Sequence, residues 1–425
     1  MKSAFDLTGA GAVLATKWPV IVAAFYGLSL PLQMSIAESQ LSGLPHIGFE
    51  RAAVAPPLVL SGDCPHYLVI INSLIEDGDF DLANNYRKAA AGGWQAGARF
   101  RGVALDHHCE TDSAGREISL HSIFLPILLS VVVWPLAGTP WVETVCITVT
   151  AAAVLLALLA FSRRSGLSGH WMALLALATP LWCYSRDIWT EPWQAAAWIG
   201  LLFAQSPAAL FLFGLAGTLI KCNFVLVPLS MAVVIWFKGD RRRAFLLAAS
   251  GMAGVLIVIA TAQYLFRDVD HFNLFHLGGH YHAADATLRQ KIVPLRLQIT
   301  GLFGMLLDPE AGLLPFFPFL AWGLWPLRKG GRAFLPVLVF LVVNGAYPGW
   351  AAGSGFSSRY IVPALPALVI ATASARPRGY LFGAAVIYSV FWGLVGGLTP
   401  PLAYDRTPVG VVVFVLKRLF LWPGI

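Results

Sequence analysis

Five carboxylates gather in one short polar stretch of an otherwise apolar chain. The stretch SGDCPHYLVIINSLIEDGDFDLANNY spans residues 61–86, whereas only 12% of the 425 residues in the chain are charged. Its acidic residues are Asp63, Glu76, Asp77, Asp79 and Asp81. A carboxylate can accept a proton from a reacting hydroxyl, or it can stabilise the positive end of a helix dipole. Both roles are open for Asp63, because Pro65 just after it suits the first turn of a helix.

The residues that follow Pro65 predict a helix on a membrane surface. Apolar side chains recur there at roughly helical spacing, and polar side chains take the positions between them. The apolar set is Tyr67, Leu68, Ile70, Ile71, Leu74 and Ile75. A helix with one apolar and one polar face is typical of segments that lie in a lipid interface. We expect residues 77–81 to form an acidic turn after this helix.

The composition of the whole chain indicates a membrane protein. Hydrophobic residues make up 57% of it, and a helix needs roughly 20 apolar residues to cross about 30 Å of hydrocarbon. We therefore expect an all-α polytopic membrane protein, in which residues 1–425 form a single domain of about 12 transmembrane helices. The formal charge of +7 comes mainly from short basic clusters between apolar runs. Because this is the positive-inside pattern, we expect the membrane as a partner and no nucleic acid.

The basic clusters give the chain an orientation. Apolar runs occur at 17–34, 119–137, 141–162, 170–184, 191–205, 207–220, 223–237, 244–266, 310–327, 333–348, 359–374, 379–398 and 408–423. Basic clusters lie at 163–164, 238–243, 328–332 and 376–378. If these clusters are cytoplasmic, both termini lie inside. The large loops then lie outside, a first loop at 35–140 with interfacial helices and a second at 267–309.

The run at 119–137 decides the number of spans. Pro126 and Pro135 would bend a crossing helix, and His121 stands at its start. We expect this run to lie in the outer interface without crossing. If it crosses instead, the chain has one more span and the first loop is cytoplasmic.

Few ionisable residues fall deep inside the predicted spans. Lys221 and Glu143 stand near span ends, which differs from the midplane charges of ion-coupled carriers. We therefore expect chemistry at the outer surface. Cys64 and Cys109 share the first loop, and their pairing in an oxidising compartment is left open.

The order of the motifs resembles the class C integral-membrane glycosyltransferases, the GT-C superfamily. The likeness is to the bacterial relatives of protein O-mannosyltransferases and of the aminoarabinose transferase of lipid A. The matching segments are GDCPHYLVIINSLIEDGDFDLANNY from residue 62, ISLHSIFLPILL from 118, YSRDIWTEPW from 184, DPEAGLLPFFP from 308 and GFSSRYIVPALP from 355. The first is similar to the family signature along its whole length. Many relatives place Glu directly after the first Asp, whereas this chain has Cys64.

The resemblance implies transfer of a sugar from a polyprenyl-phosphate donor to a glycan, lipid or protein acceptor. The reaction would occur at the outer face of the bacterial cytoplasmic membrane. In the usual inverting mechanism a carboxylate removes the proton of the acceptor, and Asp63 is the candidate for this general base. Arg359 would meet the negative charge on the leaving phosphate, with Lys221 as a second candidate. The alternative for Arg359 is that it only fixes the orientation of its span.

Other residues are weaker candidates for substrate binding. His66, Tyr67 and His121 would line the site, although either histidine could be only an interfacial hydrogen-bonding residue. Asp187 and Glu191 lie four residues apart and would share a face if the segment is helical. They could orient a sugar, support a divalent cation such as Mg²⁺ or Mn²⁺, or pair with Arg186. No metal ligand is assigned.

Two other functions stay open. One is a transporter or flippase of a lipid-linked saccharide, for which internal repeats or midplane charges are expected. The other is a non-catalytic subunit of a cell-envelope assembly, which needs no catalytic carboxylate.

Overall fold

The protein is mainly helical in the computed structural model. The structure describes residues 17–28, 63–90, 109–112, 114–139, 141–266, 295–309, 311–328, 334–346, 357 and 359–398. The helices of these ranges are α1 (Lys17–Leu28), α2 (Cys64–Asn72), α3 (Ala83–Ala90), α4 (Phe124–Val133), α5 (Trp141–Arg164), α6 (Gly169–Leu177), α7 (Leu181–Ser185), α8 (Thr190–Phe203), α9 (Pro207–Ile220), α10 (Leu226–Phe237), α11 (Arg241–Phe266), α12 (Leu295–Leu307), α13 (Ala321–Arg328), α14 (Phe334–Gly345), α15 (Leu365–Ser374) and α16 (Tyr380–Leu398). A small antiparallel hairpin joins β1 (Cys109–Thr111) to β2 (Glu117–Ser119). Apart from this hairpin, the described fold confirms the helical prediction.

Three helices in the described part of the chain are long and apolar enough to cross a membrane. They are Trp141–Arg164 in α5, Arg241–Leu265 in α11 and Tyr380–Gly397 in α16. With its 24 residues, α5 is about 36 Å long, against a hydrocarbon layer of about 30 Å. Leu156, Leu256 and Ile387 on these helices are exposed, as side chains facing lipid would be. The prediction of a helical membrane protein is confirmed to this extent, and the total of about twelve spans stays a prediction.

Prolines divide two of the predicted spans. The run at 170–184 forms two helices, α6 and α7, with Pro180 at the start of the second. The run at 310–327 contains Pro315 and Pro318 and becomes helical mainly in α13. Proline has no backbone N–H and clashes with the preceding turn. These two runs are therefore interrupted helices, and their crossing of the membrane stays a prediction.

The first predicted loop, 35–140, contains short helices and a hairpin, and two of its helices pack together. α2 continues into a π-helical turn, Ser73–Asp77, and packs against α4. α4 begins at Phe124 because residues 117–119 pair in the hairpin. Its 10 residues extend about 15 Å, and whether this segment crosses the membrane stays a prediction.

The second predicted loop, 267–309, contains one described helix. This is α12, Leu295–Leu307, and the assignment of the segment as an outer loop stays a prediction. Residues 267–294 and the predicted span at 408–423 lie outside the described residues.

Helix α8 stands at the centre of the described bundle. It packs against α5, α9 and the 3-10 turn Arg359–Ala364 that leads into α15. Trp198 of α8 is fully buried, and its ring meets Phe224 and Phe340 edge-on, at centroid distances of 6.2 and 5.6 Å. The contact of α8 with the 3-10 turn brings Glu191, in the first turn of α8, within 3.6 Å of Arg359.

Candidate active site

Helix α2 places Asp63 at the start of a buried segment. Its apolar residues Leu68, Ile70 and Ile71 are buried, and so are its polar residues His66 and Asn72. The prediction of a helix is confirmed, and its position on a membrane surface stays a prediction. Protein covers the polar face as well as the apolar face of this helix.

Asp63 occupies the N-cap position of α2 without acting as a cap. Its side chain makes no capping hydrogen bond. Instead, Oδ2 lies 3.2 Å from Nη1 of Arg359, and 23% of the Asp63 side chain is exposed. The interpretation of Asp63 as only a helix cap is therefore wrong. Its carboxylate is paired on one side and accessible from another.

Asp63 begins a series of four side chains whose charges alternate. The Arg359 Nε lies 3.6 Å from Oε1 of Glu191, and the Lys221 Nζ donates to the same oxygen at 2.9 Å. We call Asp63, Arg359, Glu191 and Lys221 the charge cluster. Its formal charges sum to zero, and all its members except Asp63 are buried. A buried charge is tolerated when an opposite charge and hydrogen bonds compensate its lost hydration.

Aromatic rings hold the two cations of the charge cluster. The Arg359 guanidinium lies 4.1 Å from the ring centroid of Trp189 and 4.9 Å from that of Tyr360. Arg359 Nη2 also donates to the Tyr360 hydroxyl at 3.1 Å, and Lys221 Nζ lies 4.9 Å from the Tyr360 ring centroid. Such contacts stabilise a cation without neutralising it. Trp189 and Tyr360 were not predicted as site residues, although Tyr360 follows Arg359 directly and Trp189 lies between Asp187 and Glu191.

The predicted histidines lie together beside Asp63. The rings of His66 and His121 stack with centroids 5.5 Å apart, and Tyr67 lies 5.3 Å from His121. The His66 Nδ1 is 2.7 Å from the Tyr86 hydroxyl. These contacts place His66, Tyr67 and His121 in one aromatic group at the first turn of α2 and the start of α4.

Asp187 does not share a helix face with Glu191. The helix α8 begins at Thr190, so Asp187 stands in the turn before it, where its Oδ1 accepts from the backbone N–H of Ile188 at 2.8 Å. Arg186 donates to the carbonyl of Gly397 at 3.1 Å and lies over the Trp182 ring. The predicted shared face is therefore wrong. Of the two acidic residues, Glu191 is the one that joins the charge cluster.

The environment of Asp63 determines its protonation. Burial opposes ionisation, but the positive charges of Arg359, His121, Lys221 and His66 outweigh it and hold the pKa of Asp63 below its usual range. Asp63 is therefore a carboxylate at neutral pH, but a weak base. A general base works best when its pKa lies near the working pH. A ligand that draws Arg359 away would raise the pKa of Asp63 and make it a better base.

The charge cluster does not suit a divalent cation. Its two carboxylates already contact two side-chain cations, whereas Mg²⁺ needs several free oxygen ligands. No group of three His, Cys, Asp or Glu residues that could hold a metal occurs in the part of the chain that the structure describes. We therefore assign no metal ligand. Cys64 and Cys109, whose pairing was left open, form no disulfide with each other in the structure.

Buried amides adjoin the charge cluster on its inner side. Gln194 Nε2 donates to the Lys221 carbonyl at 3.3 Å and to Asn223 Oδ1 at 2.9 Å. Asn223 Nδ2 donates in turn to Asn344 Oδ1 at 3.0 Å. Sequence reasoning missed these residues. Their signal was an amide side chain within an apolar run, because such side chains commonly bond across helices.

Comparison with known proteins gives no further guide to the site. No family model, curated protein or solved structure matches the chain. The geometry of the described residues is therefore what supports a functional assignment.

Proposed function

We propose that this protein is a GT-C-type glycosyltransferase, which moves a sugar from a polyprenyl-phosphate donor to a hydroxyl of a glycan, lipid or protein acceptor. The observation that carries the proposal is the pairing of a partly exposed carboxylate, Asp63, with a buried guanidinium, Arg359, at 3.2 Å. A base and a phosphate-binding cation thus stand side by side. The resemblance of the motifs adds support, and it implies a reaction at the outer face of the bacterial cytoplasmic membrane.

The proposed reaction is a single displacement. The acceptor oxygen attacks the anomeric carbon of the sugar and forms the new glycosidic bond. The bond from that carbon to the phosphate oxygen breaks, and polyprenyl phosphate leaves with the electron pair. Asp63 takes the proton of the acceptor hydroxyl as the new bond forms.

The cations of the charge cluster would stabilise the leaving phosphate. Arg359 presents a planar donor fork, which suits two phosphate oxygens. Trp189 and Tyr360 hold this fork in place, so that little reorganisation is needed when negative charge develops. Lys221 provides a second positive charge through its position beside Glu191 and Tyr360.

The aromatic group beside Asp63 would receive the acceptor. His66, Tyr67 and His121 cluster near Asp63 at the start of α2. An acceptor hydroxyl held by these rings would stand close to the Asp63 carboxylate, which takes its proton.

The test is incubation of the reconstituted protein with polyprenyl-phosphate sugars and candidate acceptors, scoring release of polyprenyl phosphate. The wild type should release it, and Asp63→Asn should not. Asp77→Asn is the matched control, because Asp77 bonds Asn85 and Lys88 in the acidic turn. Movement of intact donor across the bilayer without release would indicate the transporter or flippase instead. Equal release by wild type and Asp63→Asn would remove Asp63 from the mechanism.

A further inference from the structure

Three buried side-chain amides form a continuous hydrogen-bonded chain beneath the charge cluster. We call Gln194, Asn223 and Asn344 the amide chain. They come from α8, from the 3-10 turn Cys222–Val225 and from α14. The side chain of Gln194 is fully buried, and those of the other two are nearly so. The amide chain thus ties together three separate elements inside an apolar bundle.

Backbone carbonyls at both ends fix the direction of the amide chain. Asn344 Nδ2 donates to the Phe340 carbonyl at 2.7 Å, so Asn344 Oδ1 must accept from Asn223. Asn223 Oδ1 then accepts from Gln194 Nε2, which also donates to the Lys221 carbonyl. Because a carbonyl can only accept, no reversed set of amides satisfies both ends. The Gln194 amide thus donates to the Lys221 carbonyl, which also accepts from the Phe224 N–H at 3.0 Å.

The residue held by Gln194 lies where the backbone leaves a helix. Lys221 follows the end of α9 with an extended backbone, φ −154° and ψ 123°, and a 3-10 turn begins after it. Its N–H still bonds the Gly217 carbonyl at 3.2 Å. The hydrogen bond from Gln194 connects the carbonyl of Lys221 to α8. Glu191 lies one turn before Gln194 on α8 and binds the Lys221 ammonium.

We propose that Gln194 is a positioning residue, which holds the helix break at Lys221 so that the Lys221 ammonium stands beside Glu191 and Arg359. The inference rests on the proposed function in one respect, the contact of Lys221 with the donor phosphate. Gln194 donates to the carbonyl of Lys221, and Glu191 accepts from its ammonium. Loss of the Gln194 amide removes the first of these hydrogen bonds and leaves a buried carbonyl without its side-chain donor.

The variant Gln194→Met removes the amide while keeping side-chain length. The first measurement needs no substrate. It is the rate at which an amine-acylating reagent modifies Lys221, read by peptide mass spectrometry, with the exposed Lys88 as the internal reference. In Gln194→Met the rate at Lys221 should rise about tenfold, because a lost buried hydrogen bond costs about 1 to 2 kcal/mol. The rate at Lys88 should stay unchanged.

The second measurement is steady-state transfer with a polyprenyl-phosphate sugar. Gln194→Met should raise KM for the donor about tenfold and also lower kcat, because Lys221 meets the charge that develops on the leaving phosphate. Gln205→Met makes the same change at an exposed position in the turn after α8, and should alter neither measurement. A variant that merely lost folded protein would lower the apparent kcat and leave KM alone. Gln194→Asn, a smaller change that keeps the amide, is the second variant if Gln194→Met does not fold.

The outcomes separate the two proposals. Faster modification of Lys221 together with a raised donor KM supports the positioning role. An unchanged modification rate at Lys221 in a folded Gln194 variant overturns it, whatever the enzyme does. If the wild type transfers no sugar from any donor, the proposed function fails, and the modification rate still decides whether Gln194 positions Lys221.

Discussion

The carboxylate of Asp63 and the guanidinium of Arg359 lie 3.2 Å apart, so the candidate base and the candidate phosphate ligand contact each other before any substrate arrives. The contact joins the start of α2 to the 3-10 turn before α15. A donor phosphate must compete with Asp63 for Arg359. In the proposed reaction, donor binding therefore also frees the base.

This competition predicts opposite effects of Asp63→Asn on binding and on turnover. Transfer should be abolished, because the asparagine amide cannot accept the proton of the acceptor. Binding of polyprenyl phosphate should become tighter, by about tenfold, because a charged competitor for Arg359 is gone. Titration of the lipid phosphate into protein in nanodiscs measures the affinity, with Asp77→Asn as the unchanged control. Weaker binding in Asp63→Asn would show that the carboxylate helps rather than hinders phosphate binding.

Replacing Arg359 by Met should destabilise the protein strongly. It leaves Asp63 without its cation and Glu191 with Lys221 alone, and breaking a buried ion pair from one side costs about 3 kcal/mol or more. The double variant Arg359→Met with Asp63→Asn should recover more than about 1 kcal/mol of this loss, since no unpaired carboxylate remains at position 63. Unfolding of both variants in the same detergent checks the difference. Strictly additive losses would mean that the two side chains do not interact in solution.

The lowered pKa of Asp63 predicts how its contribution to stability depends on pH. A carboxyl group whose pKa is lower in the folded state stabilises that state above the unfolded pKa of about 3.9, and the contribution is lost as the pH falls below this value. The stability difference between wild type and Asp63→Asn should therefore be complete from about pH 5 upward and shrink below about pH 4. Thermal unfolding of both proteins above about pH 5 and below about pH 4 measures this stability difference. A difference that already shrinks between pH 7 and pH 5 would indicate a raised pKa for Asp63.

The sequence was sufficient to select the charge cluster but not to assemble it. Asp63 and Arg359 were chosen through the resemblance of the motifs, and Glu191 and Lys221 as charges next to apolar runs, which are costly and tend to serve function. Their contacts could not be predicted, since the partners come from distant segments; Glu191 and Lys221 are 30 positions apart. Local spacing carries no information about which segments meet.

The errors have equally physical causes. The periodicity after Pro65 showed which residues share a face of α2, but it could not show that protein covers the polar face too. The shared face of Asp187 and Glu191 assumed a helix that in fact begins at Thr190. Apolar composition predicted continuous spans, whereas the breaks depend on backbone donors that proline lacks.

Close packing between α16 and α6 predicts contrasting effects at two glycines of one helix. A Cβ at Gly393 would overlap the carbonyl oxygen of Leu177, whereas a Cβ at Gly383 meets no atom within 4 Å. Gly393→Ala should destabilise the protein by about 2 kcal/mol, because the backbone must shift. Gly383→Ala should be neutral or stabilise it by up to about 1 kcal/mol through helix propensity. Thermal unfolding of the two variants provides the comparison, and equal effects would contradict the close approach of α16 to α6.

Exposed residues on opposite sides of the predicted bilayer test the orientation on which an outer active site depends. Lys88 in α3 belongs to the predicted outer loop, and Arg243 in α11 to a predicted cytoplasmic cluster; both side chains are more than 40% exposed. Lys88→Cys should react with a membrane-impermeant maleimide in intact cells, and Arg243→Cys only after permeabilisation. Cys109 adds little background, because burial raises the pKa of its thiol to about 12 and the thiolate is the reactive form. Labelling of Lys88→Cys only after permeabilisation would place Asp63 on the cytoplasmic side and exclude a reaction at the outer face.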